Sequence, residues 1–235
     1  MNEFLLEYYN TITFCVEILA AVTGLMLYQK YKPTAAKYFI YFLMYLSICD
    51  FLGSYVNHIA NGFLGFLEGT VFVRNFWWTT MYWEIGAIMF FSFYYYGILR
   101  NERFKTIVRY SGYSFLIFSM IYILTNWDDY FTRFFPIIGV LGAIIIFLCT
   151  TFYFYEILNS EKILTFYRSI NFYISAAIFI WWLITTPLVF YDIYNTHFDR
   201  NFLFLKWQIY LFANITMYLT FTFALIFCKP EFDQE

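Results

Sequence analysis

The sequence predicts an all-α, polytopic membrane protein: a single bundle of seven transmembrane helices that takes up residues 1–235, with the N-terminus outside and the C-terminus cytoplasmic. Three observations predict it. Hydrophobic residues make up 62% of the chain and charged ones 13%, against about 45–50% and about 25% in soluble domains. The apolar residues fall into seven long runs, each near the roughly 20 residues that cross a hydrocarbon core as a helix. Lys and Arg collect on alternate breaks between the runs. Inside a bilayer only helices and closed barrels satisfy their own backbone groups, and these runs are too long for barrel strands.

The first helix is expected over 9–29, closed by Lys32-Pro33-Thr34, because proline restricts the residue before it and has no N–H to donate. Glu3 and Glu7 stand where a secretory leader would be basic, so this run is expected to remain as a helix. The second follows over 37–58. The connection from Ile59 to Phe76 is unusually apolar, and the glycines at 62, 65 and 69 argue against a regular helix. It reads as a loop resting on the interface or as a lid over an outward cavity. The third and fourth helices are expected over 77–99 and 106–126. The fifth, 134–156, has Pro136 in its first turn, where proline fits. The sixth, 168–191, contains Pro187, which should kink it and free a carbonyl. The seventh covers 206–228. Trp77, Trp78, Trp127 and Trp207 fall near expected outer ends, where amphipathic rings favour the interface. Connections are short, so sequence neighbours should pack as antiparallel hairpins.

Orientation follows from the basic residues. Lys30, Lys32, Lys37, Arg100, Arg103, Lys105, Arg109, Lys162, Arg168 and Lys229 share one side, ten of the 14 in the chain. Arg74, Arg133, Arg200 and Lys206 are left on the other, together with Asp128, Asp129, Asp192 and Asp199. Basic residues are retained in the cytoplasm during insertion, which puts the N-terminus outside.

Three carboxyl groups fall within the spans: Glu17, Asp50 and Glu84. Each lies seven or eight residues below the outer end of its helix, roughly 10–12 Å inside at 1.5 Å per residue. Glu17 belongs to a stripe with Thr13, Ala20, Ala21 and Gly24. Asp50 shares a face with Ser47, Ser54 and Asn57, beside Gly53, and Glu84 with Trp77 and Thr80. Small and polar faces turn toward other helices rather than lipid, so the three acids are expected to converge. Asn214 reaches the same depth on the last helix, with Gln208 just above it. His58 and Arg74 are the nearest basic groups, both at the rim. Two carboxylates without a counter-charge cannot both ionise cheaply, and intramembrane acids are costly and mark proton or ion sites. Glu17, Asp50, Glu84, Asn57, His58 and Asn214 are therefore the candidate ligand- or proton-binding residues. The competing reading is a hydrogen-bonded network that only orders the helices.

Other chemistries find no support. Cys15, Cys49, Cys149 and Cys228 are isolated within spans, with neither disulfide nor metal-site spacing. His58 and His197 both fall near outer ends, too few for a metal centre. HExxH and GxSxG signatures are missing, as is a lysine midway along the last helix that could carry a retinal Schiff base. The expectation is a non-enzymatic protein with no cofactor. No basic block interleaved with aromatics suggests nucleic acid.

The stretch Tyr155-Glu156-Ile157-Leu158-Asn159-Ser160-Glu161-Lys162-Ile163-Leu164, then Asn171-Phe172-Tyr173-Ile174-Ser175 and Pro187, resembles a group of uncharacterised seven-helix inner-membrane proteins of Bacteroidota-type bacteria. Tyr28-Gln29-Lys30-Tyr31-Lys32 before Lys37-Tyr38-Phe39 is similar to their first cytoplasmic turn. The resemblance implies a heptahelical architecture and a place beside signalling histidine kinases. The expected role is a membrane sensor or signalling accessory in the bacterial inner membrane. Its expected contacts are the lipid bilayer, a membrane or cytoplasmic signalling partner, and a second copy of itself. The alternatives are a small proton- or cation-coupled transporter and a structural subunit of a membrane complex.

Overall fold

The computed structural model describes residues 8–59, 62–194 and 200–230. Glu3, Glu7, Asn61, His197 and Asp199 lie outside the described residues, as do the side chains of Lys162, Asp192 and Arg200. The long helices are α1 (Tyr9–Met26), α2 (Ala36–Gly53), α3 (Gly86–Ile98), α4 (Glu102–Thr125), α5 (Pro136–Leu158), α6 (Ile170–Tyr194) and α7 (Arg200–Phe227). The structure is 85% helical, with no strand among the described residues. Among these residues, 6 helices are long and apolar enough to cross a membrane: α1, α2 with its extension to His58, and α4 to α7.

The third expected span departs from the pattern. Only its second half is α-helix, α3, and this is preceded by a helical turn at Phe76–Trp78 and a π-helical stretch over Thr79–Ile85. The local cause is a tyrosine. The Tyr45 hydroxyl donates to the Tyr82 carbonyl at 2.5 Å, and it fills the space beside Gly86, where a Cβ would stand 2.6 Å from it. A side chain set into the carbonyl ladder is a known cause of helix irregularity, and π turns commonly mark functional sites.

Two helices, α4 and α7, begin earlier than expected. α4 begins at Glu102, because the Asn101 side chain accepts from the Arg103 N–H at 2.9 Å and so caps the first turn. α7 begins at Arg200, six positions before the expected 206, with a polar first turn. α5 carries Pro136 in its first turn as expected. α6 continues through Pro187 to Tyr194. The Thr185 and Thr186 hydroxyls donate to the carbonyls of Trp181 and Trp182 at 2.9 and 2.6 Å.

The helices close into a ring. α1 packs on α2 and α7, α7 on α6, α6 on α5, and α5 on α3; the π stretch bridges α2 and α5, and α4 leans on α3 and α5. Aromatic rings fill much of the interior, with Phe42 stacked on Phe90 and Phe104 on Phe152 at centroid distances of 4.0 and 4.2 Å. Buried tyrosines need partners for their hydroxyls. Tyr94 donates to Asn171 at 2.5 Å and Tyr95 to Ser175 at 2.7 Å, tying α3 to α6 through the core.

The turn after α1 caps the far end of α7. Tyr31 donates to the carbonyls of Leu225 and Cys228 at 2.9 and 3.0 Å, and the Lys30 ammonium reaches those of Leu225 and Ile226, both at 3.1 Å. The last carbonyls of a helix have no partner within it, and a cation there also complements the helix dipole. Burial raises the Tyr31 hydroxyl well above its ordinary pKa, so it remains a neutral donor at physiological pH. Tyr31→Phe is expected to cost about 1–3 kcal/mol, since it removes a buried hydroxyl donor from the Leu225 and Cys228 carbonyls and leaves Lys30 on the first. Thermal unfolding in detergent reads this directly, and an unchanged midpoint would contradict the capping role.

Candidate functional site

The buried residues of α1 are Glu17, Ala20, Ala21 and Gly24, the stripe its spacing predicts. Their small size lets α2 approach closely. A Cβ on Gly24 would lie 3.2 Å from Ile40. Glu17 is 0% exposed, and its carboxyl oxygens make no hydrogen bond of ideal geometry, although hydroxyl groups and a second carboxyl stand close to them. The polar side chains that act on it come from two neighbouring helices: Ser47 and Asp50 of α2 and Tyr218 of α7.

Around this pair lies a wider polar cluster. Asn214 of α7 accepts from the Trp181 indole N–H of α6 at 2.7 Å and donates to the Tyr9 hydroxyl of α1 at 3.3 Å. Asp50 also acts on Tyr9. Residues from α1, α2, α6 and α7 thus meet at one place. The Thr13 hydroxyl is a further buried polar group, standing close to the Tyr9 hydroxyl. Among the described residues the ion pairs are Lys105–Glu102 and Arg133–Asp129, so neither Glu17 nor Asp50 has a cationic partner there.

The expected convergence of three acids is corrected to two. Glu84 is not among the groups acting on Glu17 or Asp50. Its carboxyl oxygen lies instead against α5 at Gly139, where a Cβ would come within 2.6 Å. The π stretch accounts for this: its hydrogen bonds run i to i+5, so the three-to-four spacing of Trp77, Thr80 and Glu84 no longer holds one face. Trp83 turns toward the cluster in its place, with its ring centroid 5.7 Å from that of Trp181. The Thr80 hydroxyl is buried without a partner.

Asn57 does not share the buried face expected with Asp50, and His58 is exposed beside it. Both are exposed in the short 3-10 turn Ser54–His58 that follows α2, and the His58 ring rests against Phe63 at 5.5 Å. Arg74 donates to the Thr132 carbonyl at 3.3 Å and lies over the Phe76 ring. Asn214 keeps its place in the cluster. Sequence reasoning missed Tyr9, Trp181 and Tyr218. Spacing could have found two of them, since Tyr218 follows Asn214 by four positions and Tyr9 precedes Glu17 by eight, both helical repeats.

The apolar connection after α2 folds into short turns at Gly65–Leu67 and Val71–Val73, with Gly69 at φ 81°. The Tyr55 hydroxyl holds it by donating to the carbonyls of Phe72 and Arg74 at 2.7 and 3.0 Å. Phe63 and Phe66 are 79% and 73% exposed. Nearby, the Tyr130 hydroxyl donates to the Trp77 carbonyl at 2.9 Å, and burial pushes its pKa up to about 12.

These observations define a multi-pass α-helical membrane protein with a buried acidic pair. Comparison with protein-family models, with curated proteins and with solved structures returned no match.

Proposed function

We propose that the protein is a non-enzymatic membrane sensor or signalling accessory of a bacterial inner membrane, in which a proton or cation bound at Glu17 and Asp50 sets the packing of α1 against α2 and α7. The observation that carries this reading is Glu17, fully buried beside a second acid, with no cationic partner for either among the described residues. A charge at mid-membrane costs about 2.5–3.5 kcal/mol on insertion scales, so such residues are rare outside functional sites. In this reading residues 76–98 form a seventh crossing, about 34 Å long at 1.5 Å per residue. The N-terminus is outside, as the basic residues favour. The resemblance of 155–164 and its neighbours to proteins beside histidine kinases supports a signalling partner at the cytoplasmic turns.

A bound ion shifts the packing only if its affinity differs between two states. Hydrogen exchange of the whole protein in nanodiscs, compared between pH 5 and pH 8 and with and without sodium ions, tests this. Amides of α1, α2 and α7 are expected to change protection by about tenfold, or 1.4 kcal/mol, in the wild type. The Glu17→Gln/Asp50→Asn variant should be unresponsive. An equal response in that variant would exclude the pair as the sensing site.

The irregular third segment favours a second reading, a small proton- or cation-coupled transporter, because interrupted helices border many transport sites. Net proton or sodium movement in proteoliposomes, lost in the same variant, would select it over sensing.

A further inference from the structure

The end of the bundle where α1, α3, α5 and α7 finish carries a second feature, independent of the acidic pair. A cavity of about 730 Å³ opens between the ends of α3, α5 and α7 and the starts of α2 and α6. That volume suits a small ligand. Four cationic side chains line it: Arg100, Lys105, Arg168 and Lys229. Glu156 is the one carboxylate in its wall, and it is already engaged. Its oxygens accept from the Arg100 N–H at 2.9 and 3.1 Å and from the Asn101 N–H at 2.8 Å.

Of the other polar wall groups, Asn171 has its acceptor occupied and donors left over, whereas Ser160 spends its hydroxyl proton within the protein. Asn171 uses its carbonyl oxygen to accept from Tyr94 at 2.5 Å, which leaves its amide N–H groups. The Ser160 hydroxyl donates to the Ile157 carbonyl at 3.0 Å. Lys105 is shared with Glu102 at 2.8 Å, and the Arg168 guanidinium lies over the Tyr167 ring. Neither Arg100, Arg168 nor Lys229 is in an ion pair among the described residues.

A concave site with surplus positive charge and unspent N–H donors selects an anion. Guanidinium groups match the planar, bidentate geometry of phosphate, and basic pockets between membrane helices receive phospholipid head groups. We propose that this cavity binds a phosphate group, carried by an anionic phospholipid or by a soluble phosphate compound.

Two arms separate the sources. In the first, the full-length protein is released from nanodiscs containing phosphatidylglycerol in phosphatidylcholine, and retained phosphatidylglycerol is counted by native mass spectrometry. In the second, inorganic pyrophosphate is titrated into protein in phosphatidylcholine nanodiscs, with thermal stability as the readout. Retention or affinity should fall at least tenfold in Arg100→Gln/Arg168→Gln, whose altered side chains are both exposed. The control is Arg103→Gln/Arg109→Gln, which removes the same charge outside the cavity wall and should bind as the wild type does. Lys229→Glu, which places a negative charge in the wall, should reproduce the loss. Binding in one arm alone names the source. An equal fall in the control, or no binding in either arm, overturns the proposal.

Discussion

Gly142→Val is expected to cost about 3 kcal/mol, at the upper end for overpacking a close-packed core. Gly142 lies on α5 between Ile88 of α3 and Trp182 of α6. A Cβ there would stand 1.9 Å from Cδ1 of Ile88, 3.1 Å from its Cγ1 and 3.7 Å from the Trp182 ring. Ile88 is itself 0% exposed, so it has no free space to swing into. The substitution also removes a helical glycine, which alone would favour the helix by somewhat under 1 kcal/mol, so the clash has to outweigh a gain. A double-mutant cycle isolates it. Ile88→Ala alone should cost about 2–5 kcal/mol for the cavity it leaves. Combined with Gly142→Val, the loss should be well below the sum, because each change makes room for the other. Unfolding by titrated denaturing detergent gives all four corners of the cycle, and strict additivity would show that the two sites do not touch.

The second large effect is expected at Glu156. Its carboxylate joins the C-terminal end of α5 to the turn between α3 and α4, through backbone N–H groups of Arg100 and Asn101. Bonds to an ionised acceptor are stronger than neutral ones, and losing such a set costs about 1.5–3 kcal/mol. Water can reach the exposed turn and replace part of the loss, which keeps the figure at that scale. Glu156→Ala should lower the unfolding midpoint and admit proteases at residues 99–102. Glu156→Gln retains a neutral acceptor and should fall between the two. If glutamine and alanine both match the wild type, the carboxylate is not what holds the turn.

Much of the architecture was legible because bilayer-length apolar runs leave few alternatives. The inward face of α1 was legible for a related reason: small residues and an acid repeated at helical spacing, and α-helical geometry then decided their side. The same logic failed on the third segment. Spacing arguments assume 3.6 residues per turn, and the Tyr45 hydroxyl on the Tyr82 carbonyl changes the local winding. No local pattern announces a contact from 37 residues away. Glu84 was therefore assigned to the wrong neighbours. Asn57 failed for a simpler reason: the chain passes into a 3-10 turn after Gly53, so the α-helical spacing from Asp50 does not carry to it. Tyr9, Trp181 and Tyr218 went unremarked because aromatics crowd the whole chain, 27% of its residues, and those with a polar task do not stand out.

The Lys30 and Tyr31 contacts with the carbonyls of Leu225, Ile226 and Cys228 join the turn after α1 to the far end of α7, with every other long helix of the bundle lying between them in sequence. During biogenesis that hairpin waits for its acceptors until α7 has emerged. A ribosome halted before α7 would therefore leave a defect in the turn after α1 as well, and quality-control proteases would find it there.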